Sequence, residues 1–115
     1  MISPATYNTT CYQGATWDKT FTATQNGTAI DWTGYTAKMQ VRQYPNTTDT
    51  PVLTLQTGSG ITALTNDGKV IVTATAAQTG SIPAGNYVYD IELTQGSYII
   101  RLVKGRFTVD PQVTS

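Results

Sequence analysis

The chain has 115 residues, only 12% of them charged, and its seven basic and seven acidic side chains cancel to zero net charge at pH 7. That balance excludes a generic electrostatic grip on nucleic acid or on an anionic membrane, either of which needs clustered Lys and Arg. With no histidine and one cysteine, Cys11, the chain lacks the commonest general base, an internal disulfide framework and any multi-cysteine metal site.

Composition points to strands. Thr occurs 23 times, joined by eight Ile, eight Val and seven Tyr, whereas Glu occurs once and Leu five times. Branched and aromatic side chains suit a pleated, half-buried surface, and the residues that favour exposed helices are scarce. Cys11 falls in the first expected strand as a small buried thiol. From Trp17 the odd positions Trp17, Phe21 and Ala23 alternate with Asp18, Thr20, Thr22 and Thr24, and Asn26-Gly27 marks a tight turn. Thr36 to Gln43 sets Ala37, Met39 and Val41 against Lys38, Gln40 and Arg42, the cleanest alternation in the chain.

The stretch 45–51, PNTTDTP, reads as a loop because two prolines and an Asn/Asp/Thr cluster do not hold a central strand. Val52 to Gln56 is a short strand, and Ile61 to Leu64 and Lys69 to Thr75 flank Asn66-Asp67-Gly68 as a hairpin. Ala76 to Gly80 is the one place for a single helical turn. Tyr87, Tyr89, Ile91 and Leu93 then alternate with Val88, Asp90, Glu92 and Thr94, and Gln95-Gly96-Ser97 turns the chain into Tyr98 to Val103. Gly105 is the expected site of a bulge, since Phe107 and Val109 resume the pattern beyond it. Seven or eight short strands with regular turns predict an all-β fold, an antiparallel β-sandwich with a small barrel as the alternative, in one domain over 1–115. Residues 1–6 and 111–115 are expected to be extended tails.

No chemistry-bearing constellation stands out. Asp90 and Glu92 share one strand face at a separation that glycosidase carboxylates also show, but a neighbouring Arg101 explains them as well. Asn66-Asp67-Gly68 lacks the downstream acid of a calcium loop. No enzyme, cofactor or metal is therefore expected. Trp17, Phe21, Tyr87 and Tyr89 alternate like core residues. Tyr7, Tyr12, Trp32, Tyr35 and Tyr44, with the polar Asn46 and Asp49, are the candidate interface residues, because partly exposed aromatics mark binding surfaces. Trp32, in DWTGY ahead of a strand, also suits a plug at the sandwich end. The segments 43–51, 59–60 and 1–12 are the expected docking elements, and removal of residues 1–6 is expected to leave the fold intact.

Three stretches, YQGATW (12–17), IDWTGYTAKMQVR (30–42) and IPAGNYVYDIELTQGSYIIRLVKGRFTVDPQVT (82–114), together resemble a group of small proteins of tailed bacteriophages. The resemblance runs over nearly the whole chain in the same order; Trp32 stands where the group usually has an aliphatic residue. The group is similar in style to the immunoglobulin-like N-terminal domain of phage baseplate upper proteins. It implies an immunoglobulin-like sandwich and a virion structural role, as a head decoration or cement protein or as a tail, baseplate or fibre component. It further implies other capsid or tail proteins as partners, multiple copies on the particle, and assembly in the host cytoplasm, where one unpaired Cys and no visible export signal fit. A carbohydrate-binding module contacting host glycan, with Trp32, Tyr35 and Tyr44 as its stacking platform, is the alternative expectation.

Overall fold

The computed structural model describes residues 5–45, 50–64 and 68–113, with backbone alone at 62–64. Among the described residues eleven strands and one short helix follow in order: β1 (Ala5–Thr6), β2 (Thr9–Tyr12), β3 (Trp17–Thr22), β4 (Thr24–Gln25), β5 (Thr28–Ala29), β6 (Thr36–Arg42), β7 (Leu53–Thr57), β8 (Gly60–Leu64), β9 (Lys69–Ala74), α1 (Ala76–Gly80), β10 (Gly85–Gln95) and β11 (Tyr98–Asp110). The main sheet runs β1-β11-β10-β6-β7-β8-β9-β3, with β2 also on β11, and β4–β5 form a separate hairpin. Curling brings β3 back over β2 and β11, so the protein has an all-β, sandwich-like fold. One layer is β11-β10-β6-β7 with the N-terminal strands. The other is β8-β9-β3, and a two-residue pairing of Gln56–Thr57 with Gly60–Ile61 joins them.

The core follows from the alternation. Ala37, Met39 and Val41 of β6 and Tyr87, Tyr89, Ile91 and Leu93 of β10 point inward and are buried. The Trp17 ring meets Phe107 edge-on at 5.2 Å across the layers, and its Nε1 donates to Thr9 Oγ1 at 3.2 Å. Asn26 and Gly27 both take positive φ (55° and 79°), the torsions a two-residue hairpin with the native strand twist demands. Cys11 is buried, which raises its thiol pKa above the ordinary value.

Three features differ from the expected pattern. The sheet is mixed rather than wholly antiparallel, because β1, β2 and the β7–β8 contact pair in parallel. The N-terminal segment is no tail from Ala5 onward: Ala5–Thr6 pair with Val103–Lys104 and Thr9–Tyr12 with Phe107–Asp110. The bulge lies at Leu102 instead of Gly105. Val103 faces Ile91 and Arg101 faces Glu92, so Leu102 is the extra residue, and Leu102 and Val103 are both buried. Gly105 has another reason: a Cβ there would lie 2.1 Å from the carbonyl oxygen of Tyr7, where the link between β1 and β2 crosses β11.

The YQGATW stretch is a structural clasp. The Gln13 side chain donates to Ile82 O (2.9 Å) and accepts from Gln112 N (3.0 Å). The fully buried Thr79 donates from its hydroxyl to Ala15 O (2.8 Å) and accepts from Gly14 N (3.1 Å). Helix α1 is set by a capping box, in which Thr75 and Gln78 exchange side-chain and backbone hydrogen bonds. Tyr87 then donates to Pro83 O at 2.6 Å, fixing the corner from which β10 departs.

Candidate functional site

The outward side chains of β6, β10 and β11 form rows fixed by strand register. Arg42, Val88 and Arg106 lie side by side, as do Gln40, Asp90 and Lys104, then Lys38, Glu92 and Arg101, and finally Thr36, Thr94 and Ile99. Five of the seven basic side chains therefore lie in these four rows, with the acidic Asp90 and Glu92, a balance of +3 within the rows.

A solvent-open groove of about 760 Å³ occupies the face, its floor on β10 and β11 and its rim made by Thr6, Asn8, Tyr44 and Pro45. At its centre Arg101 holds both acids, with Nε 3.1 Å from Asp90 Oδ2 and Nη2 2.9 Å from Glu92 Oε2. Burial raises the Asp90 pKa; Arg101 opposes the rise and the Glu92 charge adds to it. The two carboxylates are thus engaged by one guanidinium across the strand pair. Arg42 donates from Nη2 to Gln40 Oε1 at 3.0 Å. Among the described residues the ammonium of Lys104 and the guanidinium of Arg106 have no ion-pair partner. The Arg106 backbone is held by its N–H donating to Asn8 Oδ1 at 3.0 Å.

The sequence candidates divide. Tyr44 is 58% exposed on the groove rim, and Tyr12 is 63% exposed at the far end of β2, away from the groove lining. Tyr7 is partly exposed, but its ring meets Phe21 edge-on at 5.7 Å with Lys19 Nζ 5.3 Å from its centroid, and its carbonyl accepts from Tyr89 Oη at 2.7 Å. Tyr7 is therefore mainly a strut for the N-terminal crossing. Burial raises the Tyr89 phenol pKa well above its ordinary value.

Trp32 leaves the interface set. It is wholly buried, its Nε1 donates to Gly68 O at 3.1 Å, and its ring meets Tyr35 edge-on at 5.2 Å, so it plugs the sandwich end. Tyr35 is half-buried against the same core. Asn46 and Asp49, like Asn66 and Asp67 of the expected hairpin turn, lie outside the described residues. The segment 59–60 is a tight connection: Ser59 exchanges backbone hydrogen bonds with Gln56, and a Cβ on Gly60 would lie 2.5 Å from Leu55 Cδ2.

Sequence reasoning missed the groove cations Arg42, Lys104 and Arg106. Their signal was present only as outward positions in alternating strands, and the pairing register is what gathers them. It also passed over Ile99, which is 61% exposed where β11 leaves its turn. Among the described residues no cluster of three or more Cys, Asp or Glu has the makings of a metal site.

No protein-family model matches the chain, and no curated protein matches it.

Proposed function

We propose that this chain is a non-enzymatic, immunoglobulin-like module of a tailed-phage particle that works through protein–protein contact, as a head decoration or cement protein or as a tail, baseplate or fibre component. The observation that carries the reading is the outer face of β6, β10 and β11: an open, charge-rich groove in which, among the described residues, the carboxylates of Asp90 and Glu92 are tied to Arg101. Such a surface suits holding another molecule by shape and charge. The order β3-β9-β8 against β7-β6-β10-β11 supports the immunoglobulin part, since it follows the B-E-D and C′-C-F-G arrangement of that sandwich. The Tyr87–Pro83 hydrogen bond at the start of β10 resembles its tyrosine corner. The particle itself is supported by the three quoted stretches.

A glycan-binding reading has lost its platform, because Trp32 is buried and Tyr35 half-buried, leaving Tyr44 as the one exposed member. The test is immunogold labelling of purified particles of the source phage with an antibody to this protein, alongside mass spectrometry of disrupted particles. Label on the capsid assigns a decoration or cement role, and label on the tail assigns an adaptor or fibre role. Absence of the protein from disrupted particles overturns the proposal.

A further inference from the structure

The main sheet ends at β3, which among the described residues has one strand neighbour, β9. Ala23 N donates to Gly68 O at 2.8 Å, in the register that pairs Thr22 with Lys69. The odd-numbered residues of β3 therefore turn their backbone groups toward β9, and those of Asp18, Thr20 and Thr22 point to the open edge. Such a row of edge groups is a template on which another chain can add. A two-fold pairing that uses all three sets Thr20 opposite a second copy's Thr20, Asp18 opposite its Thr22 and Lys19 opposite its Phe21, with no like charges facing. Beside the edge, the seam between the layers opens as a notch of about 360 Å³ lined by Tyr7, Phe21, Ala23, Ile30, Leu102 and Val103. An added strand could fill that space with an apolar side chain.

One side chain stands against addition. Lys19 lies between Trp17 and Phe21 on the inward row of β3, and its Nζ reaches to 5.3 Å from the Tyr7 ring centroid, across the seam. The Tyr7 ring in turn meets Phe21 edge-on. Lys19 is half-buried, its neighbour Asp18 is exposed on the opposite face, and among the described residues no carboxylate pairs with the ammonium. A strand laid along β3 would roof the seam and take this charge out of water beside aromatic and apolar groups, where an unpaired charge is costly. Inward-pointing charges are among the devices by which edge strands resist pairing.

We infer that Lys19 guards the β3 edge: its charge, held over Tyr7 on the inner face, keeps a second copy of this chain from adding its own β3. The guard does not depend on the particle reading above. The test compares the full chain with K19M, which keeps an unbranched stem without the charge, and with K19V, which gives the row a branched apolar residue. K19R and K69M, the latter on β9, are controls. Light scattering after size exclusion gives the mass from micromolar to millimolar protein, and amide exchange by NMR locates any contact. The unaltered chain and both controls should hold the 12.4 kDa monomer mass, with the amides of Asp18, Thr20 and Thr22 exchanging fast. K19M and K19V should at least double that mass, and protection at those three amides should rise about tenfold or more. Thr20→Pro added to K19M should restore the monomer, because the Thr20 N–H faces the open edge and its loss spares the β9 ladder. An unaltered chain that already pairs through β3 overturns the inference. So do Lys19 variants that stay monomeric at millimolar protein, or that associate with protection elsewhere. Whichever variant folds decides; if neither folds, Lys19 is a strut of the seam and the guard is refuted.

Discussion

Gly105→Ala is a one-methyl perturbation at the point where the N-terminal segment crosses β11. The new Cβ would lie 2.1 Å from Tyr7 O, 2.7 Å from Tyr7 C and 3.1 Å from Asn8 Oδ1, so most of the collision is with backbone that has no rotamer to escape into. Gly105 has no positive φ, and the penalty is therefore one of space and not of torsion. The β1–β2 link must lift away from β11. Three hydrogen bonds depend on its place: Tyr7 N to Lys104 O (2.9 Å), Tyr89 Oη to Tyr7 O (2.7 Å) and Arg106 N to Asn8 Oδ1 (3.0 Å). Overpacking costs about 1–3 kcal/mol. Each weakened hydrogen bond adds about 0.5–1.5 kcal/mol. A total of about 3 kcal/mol follows when the bonds stretch without all breaking. At about 4–8 °C per kcal/mol for a domain near this size, the midpoint should drop by roughly 12–24 °C. Urea unfolding followed by circular dichroism measures the free energy, and amide hydrogen exchange locates it. A loss under about 1 kcal/mol, or exchange that quickens in β8–β9 rather than in β1, β2 and β11, refutes the reasoning.

Trp32→Ala should cost about 3–5 kcal/mol by cavity formation, and Trp32→Phe less, with the N–H to Gly68 O lost; a Trp32→Ala protein as stable as the parent in urea contradicts the plug. Thr79→Val keeps the shape but strips the hydroxyl from Gly14 N and Ala15 O. It should cost about 1–3 kcal/mol, and Thr79→Ser should recover part of it, both read by chemical denaturation. Asp90 has a pKa raised in the folded state, so the folded protein binds its proton more tightly than the unfolded chain. Its contribution thus falls as pH rises from the ordinary carboxylate value through the raised one. Asp90→Asn should gain stability relative to the parent between about pH 4 and pH 7; a gap that narrows over that range contradicts the burial-dominated shift.

What was legible in the sequence is what a strand writes into its own residues. The alternations at 37–41 and 87–93 place the core faces of β6 and β10, Asn26-Gly27 writes its own turn, and Ala76–Gly80 is the single helical turn expected there. Burial of Trp17, Tyr87 and Tyr89 follows from the same period. The parallel seating of β1 and β2 was not legible. Ala5–Thr6 and Thr9–Tyr12 join through backbone groups, and the space they need is made by a glycine nearly a hundred residues away. The bulge was misplaced for a related reason, since Leu102-Val103 reads as two apolar residues in either register. Trp32 lies outside any strand, so no alternation could report that its ring turns inward. The groove is the clearest case. Arg42 and Arg106 stand 64 positions apart in sequence, and their nearness is a property of register alone.

Zero-length carbodiimide cross-linking of intact source particles, followed by mass spectrometry, tests the contact reading of the outer face most directly, because it joins a lysine ammonium only to a carboxylate in contact with it. Lys104, on the groove, should dominate the inter-protein links, joined to Asp or Glu of another particle protein, while Lys19 and Lys69 on the opposite layer contribute few. Links confined to Lys19 and Lys69, with Lys104 unmodified by any partner, would contradict it.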